Sequence, residues 1–242
     1  VSEQKTVDFA SLYARFKSPI AAFDCGHKCA PYNERGVPFC CDPKHMIPTA
    51  YQAEWEYLRA HTDLWHIWEG EDPAQTAETW AQVPDGQVLI GCLGHERCQR
   101  DFRALTCRSF PFLPYLDSEG DFTGLTVHWE YRDRCWVISN LNVVTPQFRK
   151  EFIQAYDLLF EHRPSERENY ANHSAYLREQ YSSRRRTIPL LHRDGKFYKV
   201  SPGNEGMCEV SVEELPKYGP YKVAAELLFP DEEDDGEWTM DD

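Results

Sequence analysis

Cysteine constrains this chain more than any other residue. Nine occur in 242 residues, and eight of them fall in the first 135: Cys25, Cys29, the doublet Cys40-Cys41, then Cys92, Cys98 and Cys107, and finally Cys135. Thiolate is the soft donor that holds zinc, or iron in iron–sulfur clusters. Disulfide stapling is the other use of grouped cysteines, and size makes it unnecessary. A chain this long, 41% hydrophobic and 14% aromatic, buries a core without covalent help. The opening VSEQKTVDFASLYARF carries no basic stretch followed by an apolar one, so it does not read as a secretion signal. No apolar run approaches the length of a bilayer span. The expectation is a cytoplasmic protein, where clustered cysteines are more often ligands than staples.

Charge narrows the partners. The net charge is −14, which repels nucleic acid over most of the surface. Arg184-Arg185-Arg186 is a short basic run and reads as a solvated loop. The end of the chain, Asp231-Glu232-Glu233-Asp234-Asp235-Gly236-Glu237, repels itself and is expected to form an acidic mobile tail over 231–242. That tail, or exposed aromatic side chains, is where a protein partner is expected.

The pattern predicts an α+β protein. Val7, Phe9, Leu12, Tyr13 and Phe16 have helical spacing. Residues 19–47 are broken by six prolines and glycines among four cysteines, so something other than a backbone ladder must order them, and a metal would do so. Thr49 is placed to cap a helix over 50–60, with Glu54 and Glu56 outside. Gln87–Ile90 is a short strand. Arg108–Leu116 and Phe122–Tyr131 read as a hairpin whose second strand alternates, with Leu125, Val127, Trp129 and Tyr131 on one face. Thr145-Pro146 opens a helix to about His162, and Pro164 opens another to about Tyr181. Thr187–Leu191 and Lys196–Val200 form a second hairpin. The composition changes near residue 140, which predicts an irregular cysteine-rich metal-binding core over 1–140, with short antiparallel strands, and a helical C-terminal extension over 141–230 packed on it.

Among the cysteines, Cys25 and Cys29 sit one turn apart. Adjacent side chains such as Cys40 and Cys41 diverge in most backbone conformations, so the two are expected to differ in role: either each serves a different site, or one ligates and one packs. Eight thiols suit two four-thiolate sites or one site with spare ligands. Arg103 and Arg108 flank Cys107, where a guanidinium would offset thiolate charge and donate bonds to sulfur. His27 and His95 lie between cysteines and read as loop histidines rather than ligands. Phe110, Pro111, Phe112 and Pro114 are placed to wall a site off from water. Cys208 reads as a buried or half-buried free thiol. No phosphate loop, dinucleotide fingerprint, zinc-protease motif or nucleophile elbow occurs, so no catalytic motif decides whether the chain is an enzyme.

The order of the eight cysteines, together with Cys107-Arg108-Ser109-Phe110-Pro111, resembles the zinc- or iron-chelating YkgJ-like cysteine-cluster proteins. The resemblance spans about residues 22–137. It departs from the family in the ten residues between Cys29 and Cys40, in Ala104 and in Trp136, the last two standing where the family has proline. It implies a bound iron–sulfur cluster, of the [4Fe–4S] kind in preference to zinc, held by Cys25, Cys29, Cys40, Cys41, Cys92, Cys98, Cys107 and Cys135, with Arg103 and Arg108 beside it. The function expected from this is cluster binding, structural or redox active. The alternatives are a cluster-dependent enzyme that modifies a protein side chain, as in the lysine-N-methylase relatives of that family, or an accessory subunit of a larger complex.

Overall fold

A computed structural model describes residues 7–222. The acidic tail expected over 231–242 lies outside the described residues.

The first helix, α1 (Phe9–Arg15), starts at Asp8, whose carboxylate accepts the N–H groups of Ala10 and Ser11. Its buried face, Phe9, Leu12 and Tyr13, packs on two later helices, α3 (Gln52–His61) and α6 (Pro146–His162). Thr49 does not cap α3. It belongs to a short strand, β1 (Thr49–Tyr51), and Tyr51 occupies the cap position. Glu54, expected outside, is 1% exposed. Its carboxylate accepts the Tyr13 hydroxyl, the Leu105 N–H and the Tyr51 N–H, so three chain segments share one buried acceptor, and a charge can be buried when it is bonded in this way.

Two antiparallel sheets frame the molecule. The smaller has the order β1-β3-β2, with β3 (Gln87–Cys92) between β1 and β2 (Trp65–Ile67). The larger runs in chain order through β4 (Phe112–Leu116), β5 (Phe122–Val127), β6 (Ile188–His192), β7 (Phe197–Val200) and β8 (Met207–Val210). A helix, α4 (Pro73–Ala81), follows β2. Arg108 is helical, in α5 (Leu105–Ser109), rather than the start of a strand. β5 ends at Val127 and the chain turns through a 3₁₀ helix at Trp129–Tyr131. The expected alternation fails because both faces of β5 are covered: Leu125, Thr126 and Val127 are each fully buried. Thr126 tolerates this by donating its hydroxyl to Pro189 O at 2.8 Å.

The helix predicted after Thr145 forms as α6, capped by the Thr145 hydroxyl, which accepts Phe148 N–H at 3.2 Å. Its stripe of Phe148, Phe152, Tyr156, Leu159 and Phe160 is buried. The next helix, α7 (Pro164–Ser183), packs on α6 and β4. The chain is α+β. Beyond residue 140 it also contributes three strands, and these join β4 and β5 from before residue 140 in one sheet. Cys208 lies on strand β8 and is exposed; among the described residues that strand has only β7 beside it. Among the described residues no helix is long and apolar enough to cross a membrane.

Candidate functional site

Residues 19–48 hold four thiols and little regular structure: a one-turn helix, α2 (Gly26–Cys29), and 3₁₀ turns at Ala30–Tyr32 and Phe39–Cys41. Their order comes from polar bonds and close packing. Asp42, 1% exposed, accepts from Asn33 at 3.1 Å, from Arg35 at 3.0 Å and from Lys44 N–H at 3.0 Å. Gly26 approaches Pro38 so closely that a Cβ there would lie 2.7 Å from the ring. Tyr131 donates its hydroxyl to His45 O. One end of the segment is tied to α6: the N–H groups of Lys17 and Ser18 donate to Glu151 at 2.9 and 2.7 Å, and Thr145 N–H donates to Ile20 O at 2.9 Å. The other end runs into β1, which pairs with β3.

The fold draws the eight early thiols into two neighbourhoods. Cys107 is pushed up by burial and then by the charges of Cys41, Cys92 and Cys98. Cys135 is pushed up by burial and then by Cys25 and Cys29. Cys40 feels Cys135 and Cys29, so the doublet straddles the two groups, its sulfurs 4.0 Å apart. Burial raises Cys92 and Cys29, and takes Cys25 up to about 11.

Neighbourhood is not ligation. Among the described residues no three His, Cys, Asp or Glu side chains come together closely enough to hold a metal ion. This overturns the expectation of an iron–sulfur or zinc cluster-binding protein, and with it the cluster-dependent enzyme. The donors present do not fit the group that the family resemblance implies. The physical premise fails as well, since the irregular segment is ordered by Asp42, Glu151 and close packing.

The two arginines have separate fates. Arg103 donates from Nε to Cys98 Sγ at 3.0 Å. Arg108 turns away from sulfur: its guanidinium donates to the carbonyls of Phe16, Asp101 and Arg103 and lies 4.0 Å from the centre of the Tyr13 ring. It is a buried tie between α1 and α5. His27 is exposed and stands 3.8 Å from Asp24, and His95 is exposed at the rim of a cleft. Of the expected wall, Phe110 lines that cleft, while Phe112 packs in the main core and Pro114 lies within β4.

The cleft has a volume of about 520 Å³ and is lined by Cys25, Cys40, Cys41, Cys92, Cys98 and Cys107. Arg35, which is paired with Asp42, and Arg103 line it together with the carboxylates of Asp24 and Glu69, and Trp65, Trp68 and His66 supply aromatic surface. Cys41 is the thiol that stands apart. The sulfur contact with Cys40 and the nearby Arg103 hold its pKa below the usual thiol value against the effects of burial and of Asp24. The same contact pushes Cys40 up, reinforced by burial. A part-buried thiol beside a guanidinium and a second thiol is where nucleophilic sulfur is expected. The sequence gives no sign that Trp68, His66 or Arg35 belong to this cleft, because they arrive from β2 and from the loop before Cys40 through tertiary packing.

No family model, no curated protein and no solved structure matches the chain.

Proposed function

We propose that the cleft carries out thiol–disulfide exchange, with Cys41 as the attacking thiolate and Cys40 as its resolving partner. The observation that carries this is the sulfur–sulfur contact of 4.0 Å in a cleft open to ligands. The Cys41 thiolate attacks one sulfur of a disulfide substrate; that S–S bond breaks, a mixed disulfide forms on Cys41, and the other substrate sulfur leaves as a thiolate that takes a proton from water. Cys40 gives its proton to solvent and attacks the Cys41 sulfur, releasing the second substrate thiolate and closing a Cys40–Cys41 disulfide. The substrate gains two electrons and the pair loses two. An external thiol then returns the pair to its reduced form.

Adjacency favours turnover. The Cα atoms of neighbouring residues are about 3.8 Å apart, short of the roughly 4.4–6.8 Å that disulfides favour. A bond closed across them is strained and readily reduced. The tryptophan lining suits a small or peptidic disulfide with aromatic groups.

The test uses reduced protein, purified without oxygen and mixed with oxidised glutathione. By mass spectrometry, Cys40→Ser accumulates a glutathione adduct on Cys41, whereas the unaltered chain passes on to an internal disulfide and Cys41→Ser forms neither. Adducts on other cysteines in place of Cys41 overturn the proposal. So does stoichiometric iron or zinc held by these thiols in the same sample.

A further inference from the structure

A second cavity, of about 600 Å³, lies on the far side of Met46, Ile47 and Pro48, residues that also line the thiol cleft. Its other walls come from α5, the start of β4, the turn after β5, and α7. Two features set its chemistry. The first is charge. Glu166 is 8% exposed and lines the cavity, and no lysine or arginine among the described residues does. The Tyr51 hydroxyl donates to Glu166 Oε2 at 2.8 Å. Oε1 accepts no bond from the described residues, and no cation among them comes within ion-pair distance. Arg163, one turn earlier, lies over the Tyr51 ring at 4.8 Å instead.

The second feature is the direction of the hydroxyl protons. Thr106 spends its proton on Thr49 O at 3.0 Å, and Ser109 on Leu105 O at 2.8 Å. Tyr156 spends its proton on Ser109 Oγ at 3.0 Å, and Tyr131 on His45 O. What these groups have left is lone pairs. His128 and His173 add two imidazoles, 6.3 Å apart, and His173 Nε2 is buried without a partner. A neutral imidazole offers one acceptor nitrogen and one N–H donor. The lining therefore carries a negative charge and acceptor lone pairs beside the amide groups of Gln87, Asn169 and Asn172, with an apolar wall of Met46, Ile47 and Leu113.

We infer that this cavity binds a small primary alkylammonium, its N–H groups facing Glu166 and the spent hydroxyls and its chain against the apolar wall. A cavity of this size takes a small organic molecule, and an ammonium supplies three donors with the complementary charge. An anion would meet an unscreened carboxylate. A quaternary ammonium would match the charge and leave the acceptors unpaired. The inference goes beyond the thiol chemistry and does not rest on it.

Calorimetric titration of the full chain with n-butylammonium tests it, with butyrate, n-butanol and tetramethylammonium as comparisons. Butylammonium is expected to bind at least about tenfold more tightly than each of the three. Glu166→Gln keeps an acceptor for Tyr51 and is expected to lose about tenfold or more of that affinity. Asn172→Trp, at the exposed rim, closes the mouth without touching Glu166 and is expected to lower binding too, which keeps the test decisive if the first variant misfolds. Butyrate or butanol binding as tightly as butylammonium overturns the inference, and so does butylammonium binding that the folded variants leave unchanged.

Discussion

His128 shows how far burial shifts the chemistry of a single side chain. Burial, with His173 alongside, takes its pKa from 6.5 to about 3. Between those values the unfolded chain binds a proton that the folded chain refuses. The contribution of His128 to stability is therefore complete above about pH 6.5 and is lost as the pH falls toward 3, at no more than about 1.4 kcal/mol per pH unit. Glu54, held up by burial, acts in the opposite sense, so the informative comparison is between the unaltered chain and a variant. Urea denaturation at pH 7 and pH 5 is expected to show a falling midpoint, and His128→Leu a shallower fall. Neither residue is legible in sequence. Glu54 sits in a polar stretch that reads as a solvated face, and its three donors come from residues 13, 51 and 105. The doublet is legible as a pair of adjacent thiols, and its sulfurs lie 4.0 Å apart. Arg103 and Arg108 look equivalent around Cys107, yet one helical turn sends Arg108 into the core.

At the scale of elements, helices were easier to read than strands. α6 follows from Thr145, Pro146 and a buried stripe, all local signals. β5 misleads because its burial on both faces is decided by partners far away in sequence. Gly124 makes the point. It lies within β5 opposite His192, and a Cβ there would fall 2.4 Å from Leu191 O and 2.8 Å from His192 Cα. Nothing before or after it in the chain announces that contact. Gly124→Ala must push β5 and β6 apart, and a loss of about 2–4 kcal/mol is expected from strain in a packed interior, measured as a lower denaturant midpoint. Gly120→Ala, in the turn before β5 with φ near 82° and open space around it, pays only for its backbone conformation, about 1 kcal/mol.

For the whole molecule, the larger sheet decides how the parts hang together. β4 and β5 precede residue 140, β6 to β8 follow it, and β5 pairs directly with β6. The compositional break is real in sequence, and the sheet crosses it. Thermal unfolding followed by near- and far-ultraviolet circular dichroism is expected to give coincident transitions; two separated transitions would show that the halves fold apart. The cysteine-rich stretch bears on the same question. It was legible as irregular, but its source of order was not, because Glu151 and Thr145 lie more than a hundred residues downstream. The floor of the thiol cleft is thus slung between a helix of the main core and a strand of the small sheet. Warming that slackens either support releases the floor in the same event, so sulfur spacing, and any reactivity that depends on it, should vanish with global melting and should persist unchanged until then.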